Sequence, residues 1–145
     1  MHMALACAQA AANAGETPVG CVIIDESTGE VVAEGQNGPI GAHDPTAHAE
    51  IAAIRAAGAR LENYRLTGLT LFVTLEPCAM CAGAISHARL GRVVYGASDP
   101  KGGGVAHGPK VFEQPTIHWK PTVESGVMAD ESAGLLRAFF KARRK

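Results

Sequence analysis

The stretch "LTLFVTLEPCAMCAGAISHARLGRVVYGA" (Leu69–Ala97) contains the fold of this chain in miniature. Leu69–Leu75 is a continuous apolar run of strand type, suited to a strand buried on both faces. "PCAMCAGAISHARL" then reads as a helix with Pro77 in its first turn, where a missing N–H costs nothing. "RVVYGA" (Arg92–Ala97) is a second buried strand. On the N-terminal side, "VGCVIID" (Val19–Asp25) and "EVVAEGQN" (Glu30–Asn37) are strands joined as a hairpin by the turn "ESTGE". Residues 3–14 form an Ala-rich helix that Gly15 ends. "GPIGAHDP" is a loop rich in breakers. A helix follows it from about Thr46 to Ala57, closed by Gly58; Asp44 with Pro45 at the first helical position, or Thr46, would cap it. "SDPKGGGVAHGP" (Ser98–Pro109) is a long Gly-rich loop of the kind that carries function. "TIHWKPTVESG" holds a last strand interrupted by Pro121, and "MADESAGLLRAFFKARRK" is an amphipathic helix. The expected fold class is α/β: three α/β/α layers around a central mixed five-stranded sheet, in a single domain spanning residues 1–145.

The composition sets bounds on function. With 47% hydrophobic and 19% charged residues the chain is globular, and a net charge of −1 announces no nucleic-acid partner. The distribution of charge says more. After Glu131 there is no acid, while Arg137, Lys141, Arg143, Arg144 and Lys145 crowd the end of the chain. That is a local basic feature, or a solvated helix end whose cations suit the C-terminal dipole. No apolar run approaches the roughly 18 residues a membrane span requires, and the N-terminus lacks the basic n-region of a signal peptide. The chain is expected to be cytoplasmic with reduced thiols, Cys7 and Cys21 serving as small buried hydrophobes.

The chemistry is concentrated in two short motifs. In "DPTAHAE", His48 and Glu50 are two residues apart, so on a regular helix they point about 200° apart. They converge on one target only at the mouth of a helix. In "EPCAMC", Cys78 and Cys81 lie within one turn at a helix start, where the dipole and a metal both favour thiolates. His48, Cys78 and Cys81 are three ligands of the type zinc prefers, and three ligands leave the fourth tetrahedral position for water. Glu50 beside such a water can take its proton. A closed structural site, completed by Cys21 or His87, is the alternative. The H-x-E…P-C-x-x-C pair, each half at the mouth of a helix that follows a strand, is the signature of zinc deaminases with the glutamate as general acid/base.

With these motifs the chain resembles the cytidine-deaminase superfamily, and within it the bacterial tRNA-specific adenosine deaminases. "TPVG", "DPTAHAEI", "NYRL" (Asn63–Leu66), "TLEPCAMCAGAI", "GRVVYGASDPKGG" and "ADESAGLLRAFF" carry the resemblance across nearly the whole chain. It implies zinc-dependent hydrolysis of adenosine to inosine at the wobble position of a tRNA anticodon stem-loop. It further implies a homodimer with one Zn2+ per subunit. By that resemblance Glu50 is catalytic and Asn37 holds the edge of the base. Asp99 and Lys101 contact nucleotides flanking the target, and Phe139 and Arg143 lie on a C-terminal helix beside the RNA. From the residues alone, Asn37 could end its strand as a turn residue and Asp99 could be a turn acid before Pro100. Phe139 and Phe140, adjacent on one helix, cannot both face the same way. Cys21 and Ser98 are departures from the family pattern, and His118 stands where several relatives have asparagine near the RNA. A deaminase of a free base or nucleoside, such as guanine or cytosine, is the competing reading of the same zinc site.

Overall fold

The structure is a computed structural model and describes residues 1–144; Lys145, the last cation of the basic terminus, lies outside the described residues. The elements follow in the order α1 (His2–Asn13), β1 (Gly20–Asp25), β2 (Glu30–Gln36), α2 (Pro39–Ala42), α3 (Ala49–Leu61), β3 (Thr70–Leu75), α4 (Ala79–Ala88), β4 (Arg92–Ala97), a 3-10 turn (Val111–Glu113), β5 (Thr122–Glu124) and α5 (Ala129–Arg143). The sheet has five strands in the order β2-β1-β3-β4-β5. β1 pairs antiparallel with both β2 and β3, while β3, β4 and β5 run parallel. This is the expected mixed sheet. Helices α3 and α4 cover one face, and α1 and α5 cover the other.

Alternating strand residues divide the core between these layers, since successive side chains face opposite ways. Cys21, Ile23, Leu71, Val73, Val93 and Tyr95 pack with Ala49, Ala53 and Ala57 of α3 and Ala82 and Ile85 of α4. The helices approach closely where the strands carry glycine. A Cβ at Gly20 would lie 2.0 Å from the Ala4 carbonyl of α1, and one at Gly35 would lie 2.3 Å from the Ala49 carbonyl of α3. The alanines on the helices and the glycines on the strands thus bring backbone against backbone, and the strand ends meet the helix starts at one end of the sheet.

Several boundaries differ from the sequence-based expectation; among them, Pro121 precedes β5 and does not interrupt it. Helix α3 begins at Ala49 rather than near Thr46, because Asp44 spends its carboxylate on an Asx turn. Its Oδ1 accepts from the Thr46 N–H (2.9 Å) and hydroxyl (2.7 Å). Gly58 does not end this helix. Arg60 donates to the Val31 and Val32 carbonyls on β2 (2.7 and 3.0 Å), which rewards one more turn, and Glu62 at φ 51° supplies the left-handed stop. The "GPIGAHDP" loop contains the short helix α2, with Pro39 at its start and the buried Glu16 carboxylate accepting from the Ile40 and Gly41 N–H groups (3.1 and 2.8 Å). Pro77 precedes α4, and Cys78 is its N-cap. Among the described residues no helix is long and apolar enough to cross a membrane.

Candidate active site

The start of β1, the exits of β2, β3 and β4 and the first turns of α3 and α4 meet at one end of the sheet. There a cavity of about 220 Å³ is lined by Thr17, Val19, Asn37, His48, Glu50, Leu75, Glu76, Cys78, Asp99 and Gly102. Its volume falls below the roughly 300 Å³ of the smallest drug-sized pockets, which suits one heterocyclic base rather than a whole nucleotide.

His48 is the N-cap of α3 and Cys78 the N-cap of α4, both with extended backbone and neither spending its side chain on a capping hydrogen bond. Both side chains are therefore free to face each other across the gap between the helix mouths. His48 Nδ1 lies 3.6 Å from Cys78 Sγ and 3.5 Å from Cys81 Sγ. A tetrahedral zinc with ordinary Zn–N and Zn–S bonds sets its nitrogen and sulfur ligands about 3.6 Å apart. Donor types and spacing thus fit zinc. Among the described residues no fourth His, Cys, Asp or Glu joins the trio. Cys21, buried in β1, and His87, whose ring lies tilted at 45° against His118 with centroids 5.5 Å apart, are not part of it.

The charges fit a cation too. The hydrogen bond from the Cys81 thiol holds the Cys78 thiol well below its ordinary range. The same bond and burial push Cys81 far above the ordinary thiol range. Two adjacent thiolates require a positive neighbour, and a divalent metal held by the trio would be one. Glu50, in the first turn of α3, is only 4% exposed. Burial pushes its carboxyl up to about 7, with the Cys78 charge adding to the shift and His48 opposing it. A carboxyl poised near neutrality beside a metal trio is equipped to take up and return protons.

Asn37 follows β2, and its Oδ1 accepts from the Ala49 N–H (3.0 Å), satisfying a donor at the start of α3. That donor fixes the amide's orientation with oxygen toward the helix, so its NH2 is the group offered to a ligand. Asp99 lines the cavity while its Oδ1 holds a turn, accepting from Lys101 N–H (3.2 Å) and Gly102 N–H (2.9 Å). The structure thus brings Asn37, His48, Glu50, Cys78 and Asp99 around one cavity, with Cys81 buried behind Cys78. It does not bring Lys101, Phe139 or Arg143 to the cavity wall. Lys101 is exposed on the loop. Arg143 stacks over Phe139 (4.2 Å to the ring) and donates to the Gly15 carbonyl (3.0 Å), tying α5 to the end of α1. Phe140, not Phe139, is the more exposed of the pair.

Sequence reasoning left Glu76 and His107 without roles. Burial pushes the Glu76 carboxyl up, but hydrogen bonds from Asp99, His107, Ala106 and Val105 outweigh burial and hold it below the ordinary glutamate value. The available signal was an acid at a strand exit, just before a Pro-Cys, with a histidine far along in the Gly-rich loop.

Comparison with known proteins adds independent findings. Residues 1–97 match the family of the cytidine and deoxycytidylate deaminase zinc-binding region. A tRNA-specific adenosine deaminase of Agrobacterium fabrum is 49% identical over 99% of this chain and 93% of its own length. One from Haemophilus influenzae is 46% identical over 100% and 83%. A solved structure from work on A-to-I editing by tRNA:A34 deaminases at the wobble position superposes with a TM-score of 0.91. It is 49% identical and covers 94% of this chain and 97% of that one.

Proposed function

The chain belongs to the cytidine and deoxycytidylate deaminase family, among its tRNA-specific adenosine deaminases, and from that premise we propose that it hydrolyses the wobble adenosine of a tRNA anticodon to inosine and ammonia. The observation that carries this reading is the zinc-type trio His48, Cys78 and Cys81 with the buried Glu50 beside it, at the wall of a cavity sized for one base.

His48, Cys78 and Cys81 would hold the cation. Bound there, zinc supplies the Lewis acidity that makes water nucleophilic near neutral pH. Glu50 takes a proton from the attacking water and delivers it to N1 of the purine as the C6–O bond forms. It then takes the proton of the new C6 hydroxyl and passes it to the amino nitrogen, so that the C6–N bond breaks, ammonia leaves and C6 is left as the carbonyl of inosine. Asn37 presents its amide N–H to the edge of the base. A base flipped out of a single-stranded loop enters such a cavity at an unstacking cost of a few kcal/mol. Asp99 and Lys101, on the loop at the cavity rim, face the flanking nucleotides in this reading. Phe139 and Arg143 belong to the α5 surface where exposed Lys141 and Arg144 favour phosphates. One zinc per subunit, a single domain, a homodimer and a cytoplasmic setting complete the proposal.

The test is conversion of an anticodon stem-loop with adenosine at its first anticodon position by the zinc-loaded protein, read as inosine. Failure on that RNA beside turnover of free guanine or cytosine would overturn the reading in favour of a free-base deaminase.

A further inference from the structure

The Glu76 carboxylate is 3% exposed, sits at the exit of β3 and takes no part in the metal trio. Both its oxygens face the Ser98–Pro109 loop. Oε1 accepts from the Asp99 N–H (3.1 Å) and from His107 Nδ1 (2.8 Å). Oε2 accepts from the N–H groups of Val105 (3.2 Å), Ala106 (3.0 Å) and His107 (3.2 Å). A carboxylate accepts only, so His107 carries its proton on Nδ1.

The loop is wound so closely around this one group that side chains are excluded from it. A Cβ at Gly103 would lie 2.3 Å from Glu76 Oε2, and one at Gly104 would lie 2.6 Å from the Ala79 nitrogen. Gly104 N–H also donates to the Pro77 carbonyl (2.8 Å), and Gly103 N–H to the Asp99 carbonyl (2.8 Å). The two ends of the loop are therefore locked to a single point. Asp99, one of those anchors, and Gly102, between them, form a wall of the cavity.

We propose that Glu76 is a positioning residue, with His107 as its side-chain clasp, that sets the Asp99–Gly102 wall against which the flank of the target nucleotide is seated. This inference rests on the wobble-adenosine reading for its substrate. The clasp acts through the loop and touches neither metal nor reacting atoms, so its loss weakens RNA engagement while the chemical step is kept.

The experiment measures three variants of the full-length, zinc-loaded protein. His107→Ala removes the Nδ1 donor but leaves the backbone donors; it is expected to raise KM for the stem-loop roughly fivefold with kcat unchanged. His107→Asn restores an N–H at the same reach and is expected to recover the wild-type KM. In Glu76→Gln an amide NH2 faces backbone donors, so hydrogen exchange of the Val105–His107 amides, measured without substrate, is expected to accelerate by at least roughly tenfold while zinc content is kept. Unchanged KM in His107→Ala, failure of His107→Asn to recover it, or unchanged exchange in Glu76→Gln would overturn the proposal. So would loss of kcat together with zinc, which marks simple support of the metal site. Wild-type protein that makes no inosine overturns the substrate reading instead, and is told apart because the exchange measurement needs no RNA.

Discussion

Replacing Gly35 by alanine puts a methyl group where α3 already lies. The new Cβ would stand 2.3 Å from the Ala49 carbonyl oxygen and 2.7 Å from the Ala53 nitrogen. Ordinary carbon–oxygen contacts begin near 3.3 Å, so the strand and the helix must part by about 1 Å. Both groups are backbone, and no flexible side chain can yield. Overpacking costs about 1–3 kcal/mol, and this site belongs at the upper end. For a chain of this size about 3 kcal/mol lowers the melting temperature by roughly 6–12 °C. The displaced segment is the N-cap His48 and the first turn of α3 with Glu50, so activity is expected to fall about 100-fold with the lost alignment. Gly134→Ala is the internal comparison. It makes the same chemical change inside α5, where the new Cβ meets only Arg137 Nη2 at 3.9 Å. There the helix preference of alanine is expected to add up to about 1 kcal/mol. Paired thermal melts and rate measurements decide the matter. A Gly35→Ala protein with wild-type melting temperature and rate would refute the claim that backbone contact between β2 and α3 sets the site.

Other perturbations have equally definite outcomes. Asn37→Ala removes the acceptor for the Ala49 N–H; stability in a urea titration is expected to fall by about 1 kcal/mol, and turnover to fall with it. Adding zinc to metal-stripped protein is expected to raise the melting temperature, and Cys81→Ser should abolish that rise, since a ligand bound only by the folded state stabilises it. Hydrogen bonds from Thr70 and Arg92 hold Glu26 below its ordinary value of 4.5. Its depressed value contributes stability that is present above pH 4.5 and lost as pH falls through the folded value. Both side chains are more than a third exposed, so the increment is under about 1 kcal/mol. Arg92→Met should reduce, without abolishing, that part of the stability–pH dependence, since the Thr70 hydroxyl still donates to Glu26; denaturant midpoints across the acid range read it.

The features legible in the sequence were those that a short window determines. Buried runs such as Leu69–Leu75 and Arg92–Ala97 announce strands by composition alone, and the sheet that forms around them is the expected one. His48, Glu50, Cys78 and Cys81 were legible because each pair is local and each has a chemical reason for its spacing. What was not legible depends on partners far along the chain. The Asx turn at Asp44 competes with its use as a helix cap, and the choice follows from Asn37, twelve residues before Ala49, already serving the start of α3. Gly58 reads as a stop until Arg60 is seen gripping β2, about thirty residues earlier. Glu76 and His107 are separated by 31 residues, and neither has a local pattern that pairs them. Arg143 reads as a free cation in sequence, yet it holds the Gly15 carbonyl 128 residues away.

The central claim is that Glu50 carries protons beside a metal held by His48, Cys78 and Cys81. Single-turnover inosine formation by Glu50→Gln, with zinc bound at the wild-type level, tests it most directly. Glutamine keeps the shape of the side chain but cannot accept and return a proton at neutral pH. The expected rate is lower by about 100- to 10,000-fold. A zinc-loaded Glu50→Gln protein that forms inosine within about tenfold of the wild-type rate would contradict the claim.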